Sequence, residues 1–236
     1  MRRRLSFASK GYGPLGALRK RIAAGFLVML LGPAPALPAA AQVSILALGD
    51  SLTQGYGLDN PQDGLVPQLQ SWLREHGQDV QVINGGVSGD TTAGGLSRID
   101  WLLTPRPDAV IVALGGNDLL RGLPPREARS NLDAILAKLQ TQHIPALIAG
   151  LPAPGNYGPD YQTEFDAIWP DLAQKYDAVL VPNLLQPITD TPIEERAKID
   201  LMQPDNIHPS PAGVKKVIAA LGPKVLDLLA KVKPGN

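Results

Sequence analysis

The chain has 236 residues, with 22 basic and 22 acidic side chains and no cysteine. The missing cysteine excludes thiol catalysis, disulfide stapling, thiolate metal sites and lipid anchoring through a cysteine. The charges are unevenly placed. Arg2, Arg3, Arg4, Lys10, Arg19, Lys20 and Arg21 put seven positive charges in the first 41 residues, and no acid precedes Asp50. The rest of the chain keeps 15 basic against 22 acidic residues, a net charge of −7. Such a balance argues against nucleic acid as a partner, because phosphate binding needs clustered Lys and Arg.

An apolar run from Ile22 to Leu31 follows the basic stretch, and the segment closes on Ala39-Ala40-Ala41. A basic region, a short apolar region and an Ala-x-Ala site are the parts of a secretory signal. Cleavage is expected near Ala41, with export to the periplasm or beyond. The run is too short for a stable membrane anchor, which needs about 20 apolar residues. A start further downstream, or a twin-arginine signal built on Arg2–Arg4, stays open. Residues 42–236 are then a single domain, long enough to bury a core without staples.

Along this domain, short apolar runs suit buried strands: Val43–Leu48, Val80–Ile83, Ala109–Leu114, Ala146–Ala149 and Ala178–Val181. Longer segments between them carry helical periodicity. Leu65, Leu69, Trp72 and Leu73 share one face, and Leu132, Ile135, Leu136 and Leu139 another. Val214, Val217, Ile218, Leu221, Val225, Leu228 and Leu229 mark a last helix, where Pro223 is expected to make a kink or break. Strands alternating with helices predict an α/β three-layer sandwich, a parallel sheet of about five strands with helices on both faces.

Such sheets place their sites beyond the carboxyl ends of the strands. Three loops fall there: Gly49-Asp50-Ser51-Leu52-Thr53, Asn84-Gly85-Gly86-Val87-Ser88-Gly89-Asp90-Thr91, and Gly115-Gly116-Asn117-Asp118. Ser51 follows a strand and starts a helix, so its N–H is one of the unpaired donors of a helix start. It is either an ordinary N-cap or a nucleophile, and a nucleophilic serine needs an adjacent base. There are three histidines. His76 and His143 read as surface residues at a helix end and in a polar turn. His208 lies in Asp205-Asn206-Ile207-His208-Pro209, where a carboxylate three residues ahead can reach the ring and fix its tautomer. Gly89 lets its N–H approach a substrate closely, and the Asn117 amide can donate to a developing oxyanion. Each feature alone has a plain explanation in turn and cap chemistry. All four at one sheet edge do not.

These residues resemble the SGNH (GDSL) hydrolase family. Gly49-Asp50-Ser51-Leu52 is similar to its first block, Gly89 to the glycine of its second, Gly115-Gly116-Asn117-Asp118 to its third and Asp205-Asn206-Ile207-His208 to its last. Gly115–Gly122 and Pro154-Gly155-Asn156-Tyr157-Gly158 resemble the bacterial periplasmic acyl-CoA thioesterase, lysophospholipase and arylesterase group. The resemblance spans roughly Val43 to Leu229. It implies a flavodoxin-like fold, a Ser51, Asp205, His208 triad, and an oxyanion hole of the Ser51 N–H, the Gly89 N–H and the Asn117 amide. The Gly-x-Ser-x-Gly elbow of α/β-hydrolases is absent from the sequence.

The expected function is hydrolysis of acyl esters and thioesters by a monomer that needs no metal or cofactor. Leu119, Leu120, Leu123 and Pro124 follow the Asn117 loop, and Leu151, Pro152, Pro154 and Tyr157 follow the fourth strand. Both groups are candidates for an apolar substrate groove, with Leu119 and Leu123 equally readable as core. Three rivals stay open: a carbohydrate O-acetylesterase on the same scaffold, a silent lipid- or glycan-binding module, and a flavodoxin-like flavin carrier.

Overall fold

The computed structural model describes residues 42–233, so the signal segment expected at residues 1–41 lies outside the described residues. The strands are β1 (Val43–Gly49), β2 (Val80–Gly86), β3 (Ala109–Ala113), β4 (Ala146–Ala149) and β5 (Val179–Val181). They form one parallel sheet in the order β2-β1-β3-β4-β5, the flavodoxin-like order. The helices are α1 (Ser51–Gln54), α2 (Leu65–Glu75), α3 (Thr92–Leu102), α4 (Gly116–Leu120), α5 (Pro125–Thr141), α6 (Pro159–Asp166), α7 (Ile168–Tyr176), α8 (Gln186–Thr189), α9 (Ile193–Ile199) and α10 (Pro211–Leu229).

Strand side chains alternate between the two faces, and two cores result. Ile45, Ala47, Val80, Val82, Ile111 and Leu147 point to one face, beneath α2 and α10. Leu46, Leu48, Val110, Val112 and Ile148 point to the other, beneath α3, α5 and α7. The expected helix faces bury as their spacing dictates. In α5, Leu132, Ile135, Leu136 and Leu139 are all buried. In α2, Leu65, Leu69 and Leu73 are buried, while Trp72 is half-buried at the margin.

Two local expectations need correction. Asn84-Gly85-Gly86 reads as loop, yet β2 continues through it, because Gly86 still pairs in register with Gly49 of β1. The loop therefore begins at Val87. Pro223 does not break α10, which runs from Pro211 to Leu229. The carbonyl that Pro223 leaves without a donor belongs to Ala219, an exposed residue that water can reach.

Gly222 lies where α10 meets α2. A Cβ there would fall 2.4 Å from the Trp72 ring. Helix propensity alone favours Gly→Ala by about 1 kcal/mol. Overpacking opposes it by roughly 1–3 kcal/mol, so Gly222→Ala should lower the urea midpoint. In a Trp72→Leu background the same substitution should become neutral or stabilising. A midpoint raised by Gly222→Ala with Trp72 in place would refute the packing account.

Candidate active site

Parallel register sets the ends of three strands side by side. Gly49 lies opposite Gly86 of β2 and Ala113 of β3. The chain passes from β1 to β2 on one side, then returns across to β3 on the other, which makes the end of β1 the crevice of the sheet. Ser51 stands at this point, as the first residue of α1. The N-cap is Asp50, whose Oδ1 accepts from the Leu52 N–H at 3.0 Å. Asp50 does the capping that a serine would otherwise do, and the Ser51 hydroxyl is left free for another partner.

That partner is His208, whose Nε2 lies 2.8 Å from Ser51 Oγ. The other ring nitrogen, Nδ1, lies 2.6 Å from Asp205 Oδ2. Asp205 Oδ1 accepts from the backbone N–H groups of His208 at 3.0 Å and Ile207 at 2.9 Å. Those two backbone donors and the ring hold its carboxyl down at about 2, with the His208 N–H the largest cause. Asp205 is exposed, so hydrogen bonding rather than burial sets its charge.

The segment carrying this pair is a tight hairpin. Met202 and Pro209 form an antiparallel bridge, and Gln203 N–H donates to the His208 carbonyl at 2.8 Å. Asn206 adopts φ +57°, a left-handed turn that asparagine tolerates. Ser210 closes the segment by capping α10 through the Gly213 N–H. Gln203 also donates to the Tyr56 carbonyl at 2.9 Å, tying the hairpin to the loop after α1. The Tyr56 ring lies 4.9 Å from that of His208.

Gly89 sits in the turn after β2 with φ +81°. Among the described residues, neither its N–H nor that of Ser51 has a hydrogen-bond acceptor. Asn117 lies in α4. Its Nδ2 donates to the Asp90 carbonyl at 2.9 Å and lies 3.4 Å from Asp50 Oδ2, so its second hydrogen is only weakly held. Behind these groups Trp169 packs against the ends of β3 and β4. A Cβ on Gly115 would come 2.7 Å from the indole, and one on Gly150 would come 2.5 Å from it. Glycine is required at both places for that support.

A pocket of about 290 Å³ opens beside Ser51. Leu119, Leu120, Leu151, Pro152, Leu185 and Ile207 supply its apolar lining, with Asn183, Thr189 and Asn206 as polar members. Of the eight groove candidates read from the sequence, the structure brings Leu119, Leu120, Leu151 and Pro152 to the pocket. Leu119 is 8% exposed and belongs to the core as well. Leu123, Pro124, Pro154 and Tyr157 do not line it. The Leu123 carbonyl is turned to the Tyr161 hydroxyl at 2.9 Å, Pro154 is exposed, and the Tyr157 ring leans on Gly122 and Tyr161. Asn183, Leu185 and Thr189 escaped the sequence reading because they lie in the turn before α8 or in α8 itself, a four-residue helix too short to show a period. A larger cleft of about 400 Å³ lies at the opposite edge of the sheet, among Asp108, His143 and Lys231, far from this chemistry. His76 and His143 are exposed, at a helix end and in a turn.

Asp50 is 3% exposed, and burial raises its carboxyl from 3.8 to about 6. The Leu52 N–H and His208 act the other way, and the carboxylate of Asp118 adds to the rise.

Comparisons with known proteins identify the family. The chain matches the model of the GDSL-like lipase/acylhydrolase family over residues 47–216. It is 36% identical over 191 residues to esterase TesA of Pseudomonas aeruginosa, which covers 80% of this chain and 91% of that protein. It is 39% identical over 180 residues to an arylesterase of Vibrio mimicus, covering 74% of this chain and 85% of that one. The crystal structure of AlinE4, an SGNH-hydrolase family esterase, superimposes with a TM-score of 0.65 at 48% identity, covering 81% of this chain and 98% of that one. The chain therefore belongs to the GDSL-like lipase/acylhydrolase family and is an SGNH-type ester hydrolase.

The raised carboxyl of Asp50 has a measurable sign. Its ionised form is disfavoured in the fold, so its contribution to stability is full below 3.8 and is lost as pH rises through about 6. Asp50→Asn carries no such charge. Its stability relative to the native chain should therefore rise by roughly 2–3 kcal/mol between pH 4 and pH 8 in urea unfolding. A difference independent of pH would mean that the carboxyl ionises in the fold as it does in water.

Proposed function

We propose that the protein hydrolyses acyl esters and thioesters through an acyl-enzyme on Ser51. The observation that carries this reading is the unbroken run of hydrogen bonds from Ser51 Oγ through His208 to Asp205, beside an apolar pocket. His208 Nε2 takes the Ser51 proton while the hydroxyl oxygen attacks the substrate carbonyl. The imidazolium is stabilised by ionised Asp205. The oxyanion sits among the Ser51 N–H, the Gly89 N–H and the Asn117 amide. Collapse expels the alcohol or thiol, which leaves with the proton from His208. Water then attacks the acyl-enzyme by the same route, releasing the acid and restoring Ser51.

The pocket lining supports medium-length acyl chains, and the open side of Ser51 leaves room for aryl, lysophospholipid or thiol leaving groups. Esterase and arylesterase names among the relatives favour the same substrates. An acetylesterase for sugars would have little use for a pocket wall so largely aliphatic. Export after cleavage near Ala41 belongs to the same proposal and rests on the composition of residues 1–41. Among the described residues, no helix is long and apolar enough to cross a membrane.

The mature protein should turn over p-nitrophenyl butyrate and octanoate. Ser51→Ala should lose at least ~10⁴-fold in kcat and fail to take up a fluorophosphonate label. A labelled mutant, or a mutant that keeps its turnover, would remove Ser51 from the reaction. Turnover of acetate alone would instead favour the acetylesterase. Asn117→Ala should cost about 10²–10³ in kcat with little change in KM, as measured for loss of one oxyanion donor. A KM effect alone would make Asn117 a binding residue.

A further inference from the structure

We propose that Arg98 is a positioning residue for the oxyanion hole, an inference that rests on the esterase reading above. Arg98 projects from α3 and makes no hydrogen bond to Ser51, His208 or Asp205. Its guanidinium instead spans three chain segments that meet at the site. Nε donates to Asp90 Oδ2 at 2.7 Å, Nη1 to the Gly85 carbonyl at 2.7 Å and Nη2 to the Gly49 carbonyl at 2.9 Å. Gly49 leads directly into Asp50 and Ser51. Gly85 precedes the turn that carries Gly89. The Asp90 main-chain carbonyl in turn receives the Asn117 amide at 2.9 Å. All three oxyanion donors are thus one or two steps from one side chain.

The turn is closed from within as well. Val87 N–H donates to the same Gly49 carbonyl at 3.1 Å, and Asp90 N–H returns to the Val87 carbonyl at 3.1 Å. Ion pairs on open surface contribute little. The Arg98–Asp90 pair is largely sequestered, with side chains 19% and 16% exposed. Its acceptors diverge in a pattern that suits the planar fork of arginine and not the single ammonium of lysine. The Asp90 carboxylate is boxed in from the other side by Gly94, where a Cβ would fall 2.1 Å from Oδ1. Donors aimed at a developing charge help only if they are held before the charge appears. Arg98 supplies that restraint for a glycine turn that has little stiffness of its own.

The test uses Arg98→Lys and Gly94→Ala in the mature protein, the second because it pushes the Asp90 carboxylate off Arg98 while leaving Arg98 intact. Each is assayed with p-nitrophenyl butyrate beside the native chain, alone and combined with Asn117→Ala. We expect kcat to fall roughly 10- to 100-fold with KM unchanged in both single variants. The loss should shrink several-fold in the Asn117→Ala background, because part of what Arg98 holds is then already gone. A purely structural role would leave the loss equal in both backgrounds, or raise KM and lower kcat together, and either result would overturn the proposal. So would unchanged kcat in Gly94→Ala, which decides the matter if Arg98→Lys does not fold. An inactive native chain would sink the esterase reading and this proposal with it, whereas an active native chain with unaffected variants would sink this proposal alone.

Discussion

Parallel pairing of β1 with both of its neighbours is the constraint on which the site depends. Every β1 residue from Ile45 onward is matched on both sides, up to Gly49 opposite Gly86 and Ala113. The strand cannot slip by one residue without turning its apolar set to the wrong face of the sheet. Once that register is fixed, the chain must leave all three strands at the same level. The turns carrying Ser51, Gly89 and Asn117 are then neighbours whatever their own sequences prefer. The two-sided core supplies the energy, and the site inherits its position.

What the register does not fix is supplied by short-range polar contacts, and these are divided among residues. Asp50 caps α1, which releases Ser51. Asp118 accepts from both the N–H and the hydroxyl of Thr92, anchoring α4, and with it Asn117, to the start of α3. Two carboxylates near the same serine meet opposite environments. Asp205 is exposed but receives two backbone N–H groups and a ring nitrogen, and it stays ionised far into acid. Asp50 is buried with one strong donor, and it holds its proton more readily than an ordinary carboxylate. Hydrogen-bond count outweighs exposure in the first case and burial outweighs it in the second.

The parallel sheet and its two helix layers were legible because buried parallel strands are continuous apolar runs and the helices between them keep a clear period, whereas the flavodoxin-like order came through the family resemblance. The members of the site were legible for a different reason: each follows a strand directly or lies within three residues of a histidine. The pocket wall was legible only in part, at Leu119, Leu120, Leu151 and Pro152. Leucine at 123 and tyrosine at 157 look as suitable for a groove as leucine at 185, since side-chain direction in an irregular loop leaves no mark in the sequence. Their actual partners, the Tyr161 hydroxyl and the Gly122 backbone, are themselves far apart along the chain. Gly85 and Gly86 misled in the other direction. Glycine pairs there mark a turn in isolation, but tertiary pairing with β1 overrides that preference.

The hairpin between Met202 and Pro209 has a further consequence. Asp205 and His208 are three residues apart and hold each other through bonds internal to that hairpin, while Ser51 belongs to the first strand–helix junction, 157 residues away in sequence from His208. The Asp205–His208 pair is therefore set within one short hairpin, while its distance from Ser51 depends on how that hairpin packs on the sheet. The hairpin's moorings are the Ser51–His208 bond, the Gln203 link to Tyr56 and the start of α10. Partial opening of so small a unit takes far less free energy than unfolding two cores. A shift of these eight residues alone would part His208 from Ser51 while leaving the sheet intact.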